Sequence, residues 1–315
     1  MNAATEIEYR TLGRTGLRVS VLGFGASEIG WDKVNQREVD RILGPALDAG
    51  LNVIDTAACY FDSEEKIGVA LADRPRDSYF LFTKCGHASG LPHADWTQEL
   101  VTASIERSLS RLKTDHLDLV QLHSCSEETL RRGDVIDTLE RAREAGKVRF
   151  VGYSGDGPKA RYAIETGRFD TLQTSVSLAD QEALELTLPR AEEQDIGVIA
   201  KRPLANVAWR IGRPPEDGHQ DTILDQRGYG DEYKRRLAVL DYSFLKLPLQ
   251  EAVSFALRFT ISVANVHTAI VGSTRPGRWE HNASLLRDGS LPDDLMESIG
   301  RRWSEVGGSE WGGLE

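Results

Sequence analysis

Short apolar runs of four to six residues alternate along this chain with longer segments whose apolar positions recur every three to four residues. Runs of the first kind suit buried strands and segments of the second kind suit amphipathic helices. Two extended runs come first, Tyr9-Arg10-Thr11-Leu12 and Leu17-Arg18-Val19, around Gly13-Arg14-Thr15-Gly16. A glycine-bounded turn between two such runs predicts a β-hairpin. Eight further runs predict strands: 21–25, 52–54, 79–83, 117–122, 150–153, 171–176, 197–200 and 268–271. Between them lie helical stripes. Val39, Ile42, Leu43, Ala46 and Leu47 share one face of 36–49, with Asn35 as N-cap and Gly50 just past the end. Ser63 is expected to cap a helix running to residue 72, and Thr97 one that carries Val101, Ile105, Leu109 and Leu112. Val135, Ile136, Leu139 and Ala142 form the next stripe, closed by Gly146, and Ala160, Ala163 and Ile164 another, closed by Gly167. Pro189 predicts a kink inside a helix over 183–194.

Strand-helix alternation predicts a parallel sheet. Eight units of this length predict an α/β fold in which the sheet closes, a (β/α)8 TIM barrel, expected as a single domain over 1–315 with no linker. Two segments fall outside the repeat. Residues 202–236 form a glycine- and charge-rich insertion after the seventh barrel strand, either a functional element over the site or a surface excursion. The tail after Trp303 carries Gly307, Gly308, Trp311, Gly312 and Gly313. It either folds over the pocket or frays. Residues 26–35 read as a loop around Trp31.

Composition narrows the class. Hydrophobic residues at 40% and charged residues at 28% describe an ordinary globular chain, and a net charge of −11 argues against a nucleic-acid partner. Three cysteines without metal-type spacing argue against a disulfide framework and favour a reducing compartment. The first residues lack the basic and apolar regions of a signal peptide, and no apolar run approaches a membrane span, so a cytoplasmic protein is expected.

The strands end in chemistry. Asn52-Val53-Ile54 runs into Asp55, with Tyr60 five residues on; Tyr79-Phe80-Leu81-Phe82-Thr83 runs into Lys84; Leu117-Asp118-Leu119-Val120-Gln121-Leu122 runs into His123; Phe150-Val151-Gly152-Tyr153 runs into Ser154. Taken singly, each has a plain structural explanation, as a cap, a surface aromatic or a solvated strand end. Together, at the strand ends where a barrel builds its site, Asp, Tyr, Lys and His make a proton-transfer set. A lysine ammonium is expected to lower the ordinarily high pKa of a tyrosine, and an aspartate to hold the lysine.

In these motifs the chain resembles the aldo-keto reductases, from Leu12 to about Asn282. The resemblance places the family's catalytic tetrad on Asp55, Tyr60, Lys84 and His123 and the hairpin over the barrel bottom. It implies reduction of a small-molecule aldehyde or ketone with NADP(H), His123 orienting the substrate carbonyl. It also implies cofactor contacts: Ser154 and Gln173 at the nicotinamide, and Gly272, Ser273, Arg278 and Asn282 at the adenosine end, with Arg275 beside them. Two positions depart from the pattern. Gly155 stands where an asparagine is expected, and Lys201 where a tyrosine often stacks on the nicotinamide. Lys201 or Arg202 is instead expected to meet the cofactor's phosphates, unless both are solvated strand-end charges. An NAD-dependent sugar or alcohol dehydrogenase and a nonenzymatic nucleotide-sensing subunit are the alternatives. Trp31, Trp96, Trp209 and Trp311 are candidate pocket walls. Cys59, Cys85 and Cys125 read as packing residues, Cys59 being the best placed to react, and Cys85 should point away from Lys84 because side chains alternate.

Overall fold

The computed structural model describes residues 7–31, 34–210 and 229–314. The expected hairpin is β1 (Tyr9–Thr11) paired antiparallel with β2 (Arg18–Ser20). The barrel strands are β3 (Leu22–Gly25), β4 (Val53–Asp55), β5 (Phe80–Cys85), β6 (Leu117–His123), β7 (Val148–Ser154), β8 (Thr171–Ser175), β9 (Gly197–Lys201) and β10 (Thr268–Val271). They pair in parallel and close, β10 lying between β9 and β3.

Helices follow in chain order: α1 (Ser27–Trp31), α2 (Gln36–Asp48), α3 (Ser63–Ala70), α4 (Gln98–Leu112), α5 (Glu127–Arg132), α6 (Asp134–Glu144), α7 (Gly157–Glu165), α8 (Glu182–Leu186), α9 (Leu188–Glu193), α10 (Tyr229–Leu240), α11 (Leu249–Ser262), α12 (Arg278–Ser284) and α13 (Asp293–Glu305). Asn35 caps α2 in a full capping box with Glu38, and Thr97 accepts from the Leu100 N–H to cap α4. Three expectations are corrected. Ser63 is the first residue of α3 rather than its cap, because its hydroxyl is already committed: it donates to the Ala26 carbonyl and receives from Thr56. The loop at 26–35 contains the short helix α1. The 183–194 helix is two helices, broken at Thr187, with Pro189 in the first turn of α9, where its missing N–H costs nothing. Within the 202–236 insertion, 205–210 hold short 3-10 turns kinked at Asn206 and Val207 and 229–236 belong to α10, while 211–228 lie outside the described residues.

Alternation along each strand sorts the core into two layers. Val53, Phe82, Leu119 and Ile199 point inward and pack with Leu12, Leu17 and Val19 of the hairpin region, which plugs the barrel bottom. Arg14 N–H of that turn reaches the Asp195 carbonyl at 2.6 Å, ahead of β9. The intervening residues, such as Ile54, Leu81, Cys85, Val120 and Leu122, face the helices. Two residues further along, the inward positions become Asp55, Lys84, Gln121 and Lys201. An apolar floor thus carries a polar upper layer at the C-terminal strand ends.

Candidate active site

Asp55 and Lys84 are both 2% exposed, and Lys84 Nζ donates to Asp55 Oδ2 at 2.5 Å and to the Thr56 carbonyl at 2.9 Å. Asp55 Oδ1 accepts from Gln173 Nε2 at 2.9 Å and Gln121 Nε2 at 3.4 Å. Burial pushes the Asp55 carboxyl up against the pull of Lys84 and the two amides. Burial likewise pulls Lys84 down, but Asp55 and Tyr60 raise it above the ordinary lysine value. Two amides and an ammonium donate to Asp55, a donor set that only a carboxylate can fully accept, so the pair is ionised.

Tyr60 is carried into the site by a turn that extends the sheet. Thr56 N–H donates to the Phe82 carbonyl and Ala58 N–H to the Lys84 carbonyl, and Tyr60 N–H then closes onto the Ala57 carbonyl. Helix α1 lies against this turn through Gly30, where a Cβ would sit 2.1 Å from the Tyr60 carbonyl oxygen. The Tyr60 ring centroid is 5.3 Å from Lys84 Nζ and meets the His123 ring edge-on at 5.7 Å. Tyr60 and His123 keep part of their surface open at the mouth. The expectation that Lys84 makes Tyr60 a stronger acid is corrected: burial outweighs the ammonium, and the phenol is held above its ordinary value. Lys84 therefore offsets part of the desolvation cost of phenolate without reversing it. His123 is held well below the usual histidine value, first by burial and then by Lys84, His87, Lys201 and Arg202, so its imidazole is neutral.

The strand register sets His123 beside Ser154, and Ser154 beside Gln173. Ser154 Oγ donates to Gln173 Oε1 at 3.0 Å, which joins the two expected nicotinamide contacts to Asp55 in one buried chain. Gly155 has a steric reason: a Cβ there would fall 2.8 Å from the Tyr153 ring. Lys201 is not a solvated charge. Its ammonium is 2.6 Å from buried Asp156, which also accepts from Thr174 Oγ1 and Ser175 N–H. Arg202 donates to the Leu314 carbonyl and contacts Tyr233. The remaining expected residues stand on the loop after β10 and on α12. Arg275 N–H donates to Ser273 Oγ, Arg278 opens α12 and Asn282 is buried within it.

Several residues at the mouth escaped the sequence reading. His87, two residues past the end of β5, has its Nδ1 at 3.1 Å from Asp95 Oδ2 and its ring 5.5 Å from that of His123. Trp96 packs on His87, and also over Gly86, whose φ of 122° and 1.9 Å clearance for a Cβ both require glycine. Phe61, next to Tyr60 in the chain, is 62% exposed and meets Trp31 edge-on at 4.1 Å. The tail does not fray. Trp311 packs on Trp303 beneath Arg235 and Arg236. Gly312 carbonyl accepts from Arg236, and the Gly313 and Leu314 N–H groups donate to Glu182 and Asp180. The signals for these contacts lie far apart in the chain, at Asp180, Tyr233, Arg236 and residues 311–314, and no local spacing links them. Cys85 points away from Lys84 into the helix-facing layer, as expected, but burial pushes the Cys59 thiol up to about 11, so it is not a reactive thiolate.

The model of the aldo/keto reductase family matches residues 21–302. The chain belongs to this family of oxidoreductases. It is 33% identical over 311 residues to L-galactose dehydrogenase of Arabidopsis thaliana, covering 94% of this chain and 91% of that protein. It is 27% identical to D-threo-aldose 1-dehydrogenase of a Pseudomonas species, over 85% of this chain and 89% of that one. An aldo-keto reductase of Bacillus halodurans, solved in its holo form, superposes with a TM-score of 0.77 at 23% identity, covering 94% and 96% of the two chains, and shares the fold.

The chain's own residues fit a nicotinamide dinucleotide. The buried Ser154–Gln173 pair lies beside the tetrad at the strand ends, and Ser273, Arg275 and Arg278 follow β10 at the same end of the barrel. No side chain caps the first turn of α12. Among the described residues no helix is long and apolar enough to cross a membrane.

Proposed function

We propose that this chain is an NADP(H)-dependent oxidoreductase that reduces an aldehyde or ketone to an alcohol, with Tyr60 as the proton donor. The observation that carries the reading is the buried Asp55–Lys84 ion pair set under Tyr60, with neutral His123 edge-on to the same ring. When bound, the dinucleotide supplies the hydride. Tyr60 gives its proton to the carbonyl oxygen as negative charge develops there. Lys84 stabilises the phenolate left behind, and Asp55 keeps the ammonium charged and in place. His123 donates a hydrogen bond to the same oxygen and so orients the carbonyl. A phenol held above its ordinary pKa keeps its proton at neutral pH, which suits an acid in the reductive direction. Ser154 and Gln173 would hold the carboxamide end, and Arg278, supported by Arg275 and Ser273, the ribose 2′-phosphate. The three free cysteines agree with a reducing compartment such as the cytoplasm.

A second reading is NAD-dependent oxidation of a sugar, favoured by the two dehydrogenase relatives. On that reading Tyr60 must first lose its proton, so oxidation should rise steeply with pH. Initial rates in both directions, with NADP(H) and NAD(H), a carbonyl panel and an aldose panel, separate the two. Faster NADPH-dependent reduction at neutral pH supports the proposal, and turnover confined to NAD-dependent aldose oxidation overturns it.

A further inference from the structure

One contact in the site has no part in the proton transfer itself. Cys59 Sγ lies 3.3 Å from His123 Nδ1. A neutral imidazole carries one N–H, and the hydrogen bond at one nitrogen decides which nitrogen bears it. The groups facing His123 are Lys84 from β5, His87 from the loop after it, Lys201 and Arg202 from the end of β9, and Tyr60 and Cys59 from the turn after β4. None of them is a carboxylate, and the cations among them disfavour an imidazolium. The thiol keeps its proton, because burial disfavours thiolate. An imidazole nitrogen is a far better acceptor than a thiol sulfur.

We propose that Cys59 is a positioning residue that donates its S–H to His123 Nδ1 and so fixes the Nε2–H tautomer, leaving the single imidazole proton on the nitrogen that meets the substrate oxygen. This rests on the reading of His123 as the group that orients the carbonyl. A methyl at position 59 would let the proton redistribute between the two nitrogens, whereas a hydroxyl would restore the donor.

The test is 15N spectroscopy of histidine-labelled full-length protein, wild type, Cys59→Ala and Cys59→Ser, with steady-state carbonyl reduction alongside. The wild type should show His123 Nε2 as protonated and Nδ1 as a hydrogen-bonded acceptor. Cys59→Ala should show a mixture and lose roughly 3- to 10-fold in kcat/KM, the worth of one modest hydrogen bond. Cys59→Ser should recover both. A wild-type proton on Nδ1 overturns the proposal whether or not the variants fold. So does a Cys59→Ala spectrum identical to wild type, or a serine variant as defective as alanine in both readouts. Unchanged turnover in His123→Gln would instead remove the reading of His123, while the tautomer spectrum would still report on Cys59.

Discussion

Replacing Lys84 with methionine keeps the length of the side chain and removes its charge. Asp55 is then left with the Gln173 and Gln121 amides, at 2.9 and 3.4 Å, as donors. Breaking a buried pair in this way costs about 3–5 kcal/mol. The loss should depend on pH. Burial already pushes the Asp55 carboxyl up, and without Lys84 the folded protein holds a proton there that the unfolded chain gives up near the ordinary value of 3.8. The folded state then binds more protons than the unfolded one, so stability falls as pH rises above that value. Urea midpoints of Lys84→Met should therefore be lower at pH 8 than at pH 5, and Lys84→Met/Asp55→Asn should regain most of the loss at pH 8. Activity should not return with stability. At an effective dielectric of about 20, unit charges at the 5.3 Å separation of Lys84 Nζ and the Tyr60 ring interact by about 3 kcal/mol. If the phenolate is partly formed in the transition state, the rate falls by roughly 10- to 100-fold. Recovery of kcat in the double variant would show that Lys84 only satisfies Asp55. A double variant no more stable than Lys84→Met would refute the buried-pair argument.

Other predictions follow from the same geometry. Arg278→Ala should weaken NADPH by roughly 10- to 150-fold, the worth of a charged hydrogen bond, and NADH far less; equal losses by fluorescence titration would remove the 2′-phosphate contact. Because burial, with Lys84, His87, Lys201 and Arg202 nearby, holds His123 neutral, reductive kcat/KM should show no limb near pH 6.5 from its titration; a limb that His123→Gln abolishes would contradict this. Asp180 is pushed up to about 7 by burial and by Asp156, so the folded state keeps its proton above the unfolded value of 3.8. Its contribution to stability is present below 3.8 and is lost as pH rises to about 7. Asp180→Asn should flatten the pH dependence of the urea midpoint across that window, and an unchanged slope would contradict the assignment.

Period-two alternation carried much of this site into view from sequence. Phe82 inward implies Lys84 inward two residues later, and Val53 implies Asp55, so the apolar floor and the polar upper layer are written in the same strands. Capping chemistry was legible where the side chain had no rival partner, as at Asn35 and Thr97. It failed at Ser63, whose hydroxyl serves Ala26 and Thr56 instead. Helices α1 and α5 escape the pattern because five or six residues are too few to establish a period, and the longer α10, α11 and α13 were not predicted either. The acidity of Tyr60 was misjudged because a list of neighbours contains the lysine but not the burial. The seating of residues 311–314 on Asp180, Glu182, Arg202 and Arg236 was invisible, since its partners are separated by as many as 134 positions.

The central claim is that Tyr60 supplies the proton, and Tyr60→Phe tests it most directly. The substitution keeps the ring that packs against His123 and lies over Lys84 and removes only the hydroxyl. NADPH affinity and turnover with a carbonyl panel would be measured on the same preparation. Cofactor binding close to wild type with most carbonyl reduction lost is the predicted result, and wild-type turnover would contradict the account.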